Sequence, residues 1–330
     1  MNRYPRSREE TTDPPSIEEV SEALQKYWGC KALEICQAQS RRVHYVDLPH
    51  RKVMFRANPG WDGPTPPPII VKYVDHLSKL NAPAPEIIPT QSGELHAQLR
   101  DHTLSVESRL PGESMGQNPL RFLRFIGQRL AKLHLAAETF LEYQSQMRPA
   151  GEYVQAMFER SLSRPLEREE LHVVEELQKT IEKDFSRTLG MEIPWILCRG
   201  DVTGFNTLAT EDGEIWFVDF DSAEYAPALF DLVMTRFQWL RQVLNLSDAS
   251  EIFRGYHIER PLCEPEILAF PVIWAAYYTD RITFLLNRRR TQRSRANREE
   301  EVHKYRVMVL ELPNEAVSMG QDLLKSSNLF

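Results

Sequence analysis

Three polar residues in one stretch of the chain have the types and the spacing that phosphoryl transfer requires. Asp201 and Asn206 are five residues apart, and Asp219 ends an apolar run that begins at Ile215. Transfer of a phosphoryl group needs a carboxylate beside the attacking hydroxyl and oxygen ligands for a magnesium ion that bridges the phosphates. Each residue alone is typical of a turn or a helix cap, but together they predict a phosphate-transfer site.

The segments around these residues resemble the aminoglycoside phosphotransferase family, small-molecule kinases related to homoserine kinase and choline kinase. Segment 199–206, RGDVTGFN, is similar to the family signature H-G-D-x-x-x-x-N, and 218–221, VDFD, is similar to the strand end that follows it. Three further segments match family patterns: 222–232 ends in an Asp-Leu pair, 127–134 ends in LAKLH, and 106–113 ends in PGE. The resemblance covers roughly residues 17 to 325.

The resemblance implies a role for each residue of this set. It makes Asp201 the catalytic base that orients and deprotonates the acceptor hydroxyl. It makes Asn206 and Asp219 the ligands of Mg²⁺. Asp231 is expected to brace the catalytic loop, and Asp221 is close enough in sequence to share the metal. Catalysis of this kind works by positioning and electrostatic stabilisation.

The resemblance also implies an ATP site in the first third of the chain. Arg56 stands where the family places a Lys or Arg on the ATP phosphates. Backbone groups of Glu107, Ser108 and Arg109 are expected to meet adenine, with little dependence on side-chain identity. Lys72 is an alternative phosphate-binding residue, but the helical pattern around it favours a solvent-facing or packing role. ATP as co-substrate and Mg²⁺ as cofactor follow from the resemblance.

Two departures from the family pattern bear on this site. Arg199 replaces the usual histidine, and the predicted helix 69–80 offers no clear glutamate to pair with Arg56. We expect the Arg199 guanidinium to lie beneath the catalytic loop, neutralised by the carboxylate of Asp219 or Asp221. In that position it would bridge the loop to the metal-binding strand.

The elements that position these residues predict an α+β chain with the protein-kinase-like bilobal fold that the resemblance implies. We expect a disordered lead-in over 1–15 and a small antiparallel-sheet N-lobe, which binds the nucleotide, over 16–109. A linker over 110–116 then leads to a larger, mostly helical C-lobe over 117–330, with a catalytic hairpin over 195–221.

Local patterns predict the individual elements. Ser16 and Glu19 have the capping-box spacing, so they predict a helix that begins there and ends near Gly29. Segment 58–68 is rich in proline and glycine and is expected to form neither helix nor central strand. His134, within a predicted helix, is expected to make structural hydrogen bonds and not to be a catalyst. The other predictions are strands at 42–46, 51–56, 94–99, 103–108, 195–198, 205–210 and 215–220, and helices at 69–80, 123–137 and over much of 227–326.

Composition limits the class of protein. The 330 residues correspond to about two domains, and a net charge of −7 argues against a chain built to coat nucleic acid or an anionic membrane. No apolar run approaches the ~18 residues of a membrane span, and the first ten residues lack the apolar core of a secretory signal. The four cysteines have no metal-binding spacing. We therefore expect a soluble cytoplasmic protein.

The arginine-rich run 288–298 is an alternative nucleic-acid patch, but the acids that follow it favour a solvated segment.

The sequence thus predicts an ATP- and Mg²⁺-dependent kinase that phosphorylates a hydroxyl of a small molecule. The acceptor stays open among an aminoglycoside, an amino alcohol, homoserine and a sugar, and the arginines beyond residue 227 favour an acceptor with an anionic group. The departures at Arg199 and in helix 69–80 keep a second function class open, a catalytically silent pseudokinase that senses nucleotide or holds a partner. The patterns do not indicate an oligomeric state.

Overall fold

The computed structural model describes residues 13–288 apart from 39, 60–63, 117–121, 167 and 241–245. A region rich in strands comes first and a larger helical region follows, as the sequence predicts. Most of the lead-in and nearly all of the arginine-rich run lie outside the described residues. Among the described helices, none combines the length and the apolar character needed to cross a membrane.

An antiparallel sheet of five strands forms the N-terminal region. The strands span Glu34–Gln37 (β1), Val43–Asp47 (β2), Lys52–Pro59 (β3), Ala97–Leu99 (β4) and His102–Ser108 (β5). Their order in the sheet is β1-β2-β3-β5-β4. The predicted hairpin is confirmed, with Val43 opposite Arg56, and so are the two later strands. The sequence does not predict β1, because this edge strand shields only Ile35 in part and has no apolar alternation.

The third strand runs further than the sequence predicts, since Asn58 and Pro59 are its last two residues. They lie opposite Thr103 and His102 of β5. The expectation that 58–68 contains no central strand is therefore wrong for these two residues. Pro59 is tolerated because it ends the strand, where its missing N–H interrupts no further part of the hydrogen-bond ladder.

Alternation along β3 separates an apolar face from a polar one. Val53 and Phe55 are buried in the core of the sheet region. Arg56 and Asn58 lie on the opposite face, because successive side chains of a strand alternate. Both are nevertheless buried, at 4% and 8% exposure, since that face meets segment 219–221.

Two helices accompany this sheet. Helix α1, Ile17–Ala23, begins at Ser16 with both hydrogen bonds of the predicted capping box. A short π-helical turn, Leu24–Trp28, continues it and ends at Gly29, where φ is 65°. Helix α2, Pro67–Lys79, begins two residues earlier than predicted, so the expectation that 58–68 contains no helix is wrong for Pro67 and Pro68. Prolines fit the first turn of a helix, where their missing N–H would have no partner in any case.

Helices and short strands form the rest of the described chain. The helices span Leu123–Ala137 (α3), Ala150–Leu162 (α4), Arg168–Asp184 (α5), Ser186–Leu189 (α6), Leu229–Leu240 (α7), Leu246–Glu259 (α8) and Glu264–Arg288 (α9). The strands span Glu113–Ser114 (β6), Gln146–Pro149 (β7), Glu192–Cys198 (β8), Thr207–Ala209 (β9), Ile215–Phe217 (β10) and Glu224–Pro227 (β11). The predicted helix at 123–137 is confirmed, and so is the helical character of 227–326 as far as residue 288.

The segment predicted as one catalytic hairpin, 195–221, belongs to two sheets. Strand β8 lies between β7 and β11, whereas β9 lies between β10 and β6. The true hairpin is β9–β10, and the chain leaves β8 at Gly200, where φ is 84°. Because β6 lies within segment 110–116, that predicted linker is hydrogen-bonded directly to the strand that follows Asn206.

Candidate active site

A buried carboxylate at the start of α7 shapes the loop that follows β8. The two oxygens of Asp231 accept hydrogen bonds from the backbone N–H groups of Arg199 and Gly200, each at 2.8 Å. His134 Nε2 lies 2.9 Å from the same carboxylate, and its Nδ1 lies within hydrogen-bond distance of the Tyr256 hydroxyl, at 2.7 Å. Asp231 thus braces the loop from below, and His134 is the structural hydrogen bonder that the sequence predicts.

Gly200 is required by the path of this loop. Its φ of 84° lies in the left-handed region, and a Cβ at this position would lie 1.9 Å from the backbone oxygen of Ser222. No side chain fits there. The close approach brings the loop beside the segment that follows β10.

The side chains of Asp201 and Asn206 meet on this loop. Asn206 Nδ2 donates to Asp201 Oδ2 at 2.8 Å, and the Asn206 carbonyl accepts from the N–H of Val218 at 3.0 Å. Burial raises the pKa of Asp201, although Arg199 opposes the shift, and nearby Asp219 raises it further. The amide oxygen of Asn206 accepts no hydrogen bond within the described part of the chain, so it is available as a metal ligand.

Arg199 lies fully buried beneath the loop. Its guanidinium donates to the backbone carbonyl oxygens of Asp201, Asn206, Val218 and Asp219. Arg199 therefore bridges the loop to the end of β10, as predicted. Among the described residues its direct partners are carbonyl oxygens and not the expected carboxylate of Asp219 or Asp221, although the carboxylates of Asp201, Asp231 and Asp219 are close enough to favour its charged form. Burial lowers the pKa of Arg199. The rings of Phe217 and Phe220 lie 5.6 and 5.5 Å from its Cζ atom, which gives the charge partial compensation.

The carboxylates of Asp219 and Asp221 face Arg56 from the end of strand β10. Arg56 Nη2 donates to Asp219 Oδ1 at 2.6 Å and to Asp221 Oδ2 at 2.9 Å. Asn58 Nδ2 donates to the other oxygen of Asp221 at 3.0 Å. Asp219 has a φ of 65°, an unusual value for a residue with a side chain. Although burial opposes it, Arg56 holds the pKa of Asp219 below its ordinary value.

A third carboxylate reaches Arg56 from the neighbouring strand. Glu107 Oε1 lies 3.7 Å from Arg56 Nε, and the two side chains are 9% and 5% exposed. Burial raises the pKa of Glu107 to about 7, although Arg56 opposes the shift. The sequence analysis gave this side chain little importance, because it expected only the backbone of Glu107 to contact adenine. The sequence signal that could have revealed a polar site on this sheet is the presence of Arg56 and Asn58 on one face of β3.

The backbone groups predicted to meet adenine are partly engaged within the protein. The N–H of Ser108 donates to the carbonyl of Glu86 at 2.8 Å, and the N–H of Arg109 donates to that of Lys52 at 3.3 Å. Any adenine contact by these two residues therefore uses their carbonyl groups. Lys72, the alternative phosphate-binding residue, pairs with Glu142 at 3.0 Å.

The donor set fits a magnesium ion and phosphates. Asp219 and Asp221 have side chains 44% and 45% exposed, so their oxygens are accessible, and Asn206 offers an amide oxygen. Oxygen ligands of this kind suit Mg²⁺, which keeps several waters and binds through one or two carboxylates and substrate phosphates. Arg56 supplies a permanent positive charge in the same place.

Comparison with known proteins identifies the family of this chain and its similar relatives. Residues 38–265 match the phosphotransferase enzyme family. A homoserine kinase of Cupriavidus taiwanensis is 25% identical over 219 residues, 60% of this chain and 62% of the relative. One of Caulobacter vibrioides is 25% identical over 213 residues, 62% of this chain and 65% of the relative. The chain thus spans less than two thirds of the length of these curated relatives.

Solved structures share the fold across most of the chain. An amicoumacin kinase, solved with AMP-PNP and Ca²⁺, superposes with a TM-score of 0.67 at 13% identity, covering 91% of this chain and 94% of that one. A microcompartment-associated aminopropanol kinase superposes at 0.63 with 15% identity, covering 92% and 98%. The α+β fold of this protein is therefore the protein-kinase-like fold of these kinases, and with residues 38–265 matched, the chain belongs to the phosphotransferase enzyme family.

Proposed function

We propose that this protein is an ATP- and Mg²⁺-dependent kinase that phosphorylates a hydroxyl of a small molecule. The observation that carries the proposal is the meeting of two groups of residues. Asp201 and Asn206 share a hydrogen bond on the loop after β8, and Asp219 with Asp221 faces Arg56. The two groups are adjacent, because the N–H of Val218 donates to the carbonyl of Asn206 and Arg199 binds the carbonyls of both Asp201 and Asp219. A base, a set of oxygen ligands and a fixed cation are the parts that phosphoryl transfer uses.

In this proposal Asp201 accepts the proton of the acceptor hydroxyl. Its raised pKa makes it a stronger base than an ordinary aspartate. The Asn206 amide orients the carboxylate, and the Arg199 guanidinium holds the carbonyl of Asp201 from below. Asp219 and Asn206 would hold Mg²⁺, which neutralises charge on the phosphates. Arg56 would bind the phosphate oxygens, which would displace some of the carboxylate groups that contact it in this structure.

The acceptor class is proposed from the relatives and not from the site. Curated relatives found by sequence are homoserine kinases, whereas structures with a similar fold include an aminopropanol kinase and choline kinases. Structures of similar fold also include an aminoglycoside phosphotransferase. Homoserine, aminopropanol, choline and an aminoglycoside therefore form the first test panel. The four have in common a hydroxyl group and an amino or ammonium group.

A catalytically silent pseudokinase is the less favoured alternative. This alternative was suggested by the two departures from the family pattern, the histidine replaced by Arg199 and the missing helix glutamate. For each departure, a side chain of this protein makes contacts that support the site. Arg199 is bonded to four carbonyl oxygens around the loop, and Glu107 lies beside Arg56. Asp201, Asn206 and Asp219 are all retained, which supports an active enzyme.

The test is ATP consumption with Mg²⁺ across this panel, with product identified by mass. Asp201→Asn should lower kcat by about 10³-fold or more, with nucleotide affinity changed little. Asp212→Asn is the matched control, because Asp212 is exposed in the turn of the β9–β10 hairpin. Nucleotide binding without transfer to any acceptor in a broader hydroxyl library would favour the silent module. Retention of most of the rate in Asp201→Asn would remove this residue from the mechanism.

A further inference from the structure

We propose that Glu107 is the positioning residue for Arg56, in place of the helix glutamate that the family resemblance leads us to expect. This inference rests on the proposed function, because it concerns how Arg56 is held for the ATP phosphates. It differs from the expectation from the sequence, in which only the backbone of Glu107 takes part, by contacting adenine.

Strand register places the two side chains on one face. Arg56 of β3 lies opposite Ser105 of β5, and Glu107 is two residues further along β5. Residues two apart on a strand point to the same face, so Arg56 and Glu107 are diagonal neighbours on the face of the sheet that meets segment 219–221. Long side chains reach across such a diagonal. The observed separation of 3.7 Å between Nε and Oε1 agrees with this geometry.

Helix α2 supplies no alternative carboxylate. Asp75 is the single acidic residue between Pro67 and Lys79, and its carboxylate pairs with Lys79 at 2.6 Å. Arg56 has three carboxylate partners among the described residues: Asp219, Asp221 and Glu107.

The three partners are not equivalent. Asp219 and Asp221 come from the segment after β10, are nearly half exposed, and have oxygens that a metal ion would use. Glu107 is buried and lies in the same sheet as Arg56, so their separation is set by the hydrogen bonds between β3 and β5. When phosphates and metal engage Asp219, Glu107 is the carboxylate that still orients the guanidinium.

Removing the negative charge of Glu107 has two opposing effects on nucleotide affinity. A negative charge near bound phosphates repels them, so neutralising Glu107 would by electrostatics alone tighten nucleotide binding. Losing the partner of a buried guanidinium frees it to turn away, which weakens phosphate binding. The inference requires the second effect to be the larger one.

The experiment compares Glu107→Gln and Glu107→Asp with wild type, using MgATP, ADP and adenosine as three separate ligands at pH 8. At this pH the Glu107 carboxyl, with a pKa of about 7, is mostly ionised. Glu107→Gln should weaken ADP and MgATP binding by about tenfold or more, the ratio that corresponds to ~1.4 kcal/mol. It should leave adenosine affinity within about twofold, and Glu107→Asp should restore part of the loss. Glu94→Gln is the matched control, because Glu94 is an exposed carboxylate in the same region.

Each other result has a definite meaning. Unchanged or tighter ADP binding in Glu107→Gln overturns the inference. An equal loss for adenosine also overturns it and assigns Glu107 to the base-binding pocket. These outcomes leave the proposed function intact if wild type transfers phosphate. A wild type that binds MgATP but transfers no phosphate refutes the proposed function and leaves the Glu107 comparison valid.

Discussion

Arg199→Ala is the substitution that best tests how the catalytic loop is held. The guanidinium makes four contacts to backbone carbonyl oxygens, on the loop and at the end of β10. Since the side chain is fully buried, alanine would leave these oxygens without their donor and would open a cavity below the loop.

The size of the effect follows from opposing contributions. At about 1 kcal/mol for each hydrogen bond, with roughly 1 to 2 kcal/mol for the cavity, the gross loss is about 5 to 6 kcal/mol. Burial lowers the pKa of Arg199, which shows that its charge is costly in this position, so removing the charge recovers part of the loss. We expect the free energy of unfolding to fall by about 3 kcal/mol. With an unfolding entropy of about 2.1 cal/mol/K per residue, the midpoint of thermal unfolding of a 330-residue chain should then fall by roughly 4 °C.

The assay combines thermal unfolding with steady-state kinetics. Arg199→Met keeps much of the volume but donates no hydrogen bond, so it separates the cavity from the lost bonds. Arg199→His carries at most two donors and should give an intermediate midpoint. In Arg199→Ala, kcat should fall at least about tenfold because the loop that carries Asp201 is loosened, with a smaller change in the KM for ATP. Arg254→Ala is the control, since Arg254 is 57% exposed in a surface ion pair.

A clear result would refute this reasoning. If Arg199→Ala and Arg199→Met shift the midpoint no more than Arg254→Ala does, the carbonyl contacts do not stabilise the loop. If the midpoint falls but kcat is unchanged, Arg199 supports the fold and does not position Asp201.

Two further predictions concern neighbouring residues. Asp219→Asn should weaken MgATP binding far more than metal-free ATP binding, because the substitution removes a charged metal ligand; titrations with and without Mg²⁺ test this, and equal losses would assign Asp219 to structure. Gly200→Ala should destabilise the protein more than Gly213→Ala does. Both glycines have positive φ, but a Cβ at 200 meets a backbone oxygen at 1.9 Å whereas one at 213 meets nothing within 4 Å. Equal unfolding midpoints for the two alanine variants would show that the loop can move away from Ser222.

The proximity of Asp201, Asn206 and Asp219 was predictable from the sequence because these residues are close along the chain. Asp201 and Asn206 are five residues apart, and Asp219 lies two residues after the hairpin strand β10, so a local pattern contains most of the geometry. The capping box at Ser16 was predictable for the same reason. The roles of these residues in catalysis remain predictions until the variants are measured.

Features that depend on tertiary pairing were not predictable. Strand β6 forms within the expected linker only because β9 offers an edge to pair with. The separation of β8 from the β9–β10 hairpin depends on sheet order, which no local pattern contains. The carbonyl partners of Arg199 were missed because sequence reasoning searches for opposite charges, whereas backbone acceptors are present at every position and leave no compositional signal.

The two departures from the family pattern have a common physical form. In each case the expected residue is absent, and another side chain makes the contacts that hold the site: Arg199 at the same position, and Glu107 from strand β5. Arg199 reaches from the base of the loop to the end of β10, a span over which a guanidinium with five donors can satisfy several carbonyls at once. Glu107 lies on a strand paired with that of Arg56, so the register of the sheet, and not the docking of helix α2, determines their separation. A phosphate-binding arginine held in this way would keep its orientation when α2 shifts. Substitutions that disturb the packing of α2 should therefore affect ATP affinity less than Glu107→Gln does.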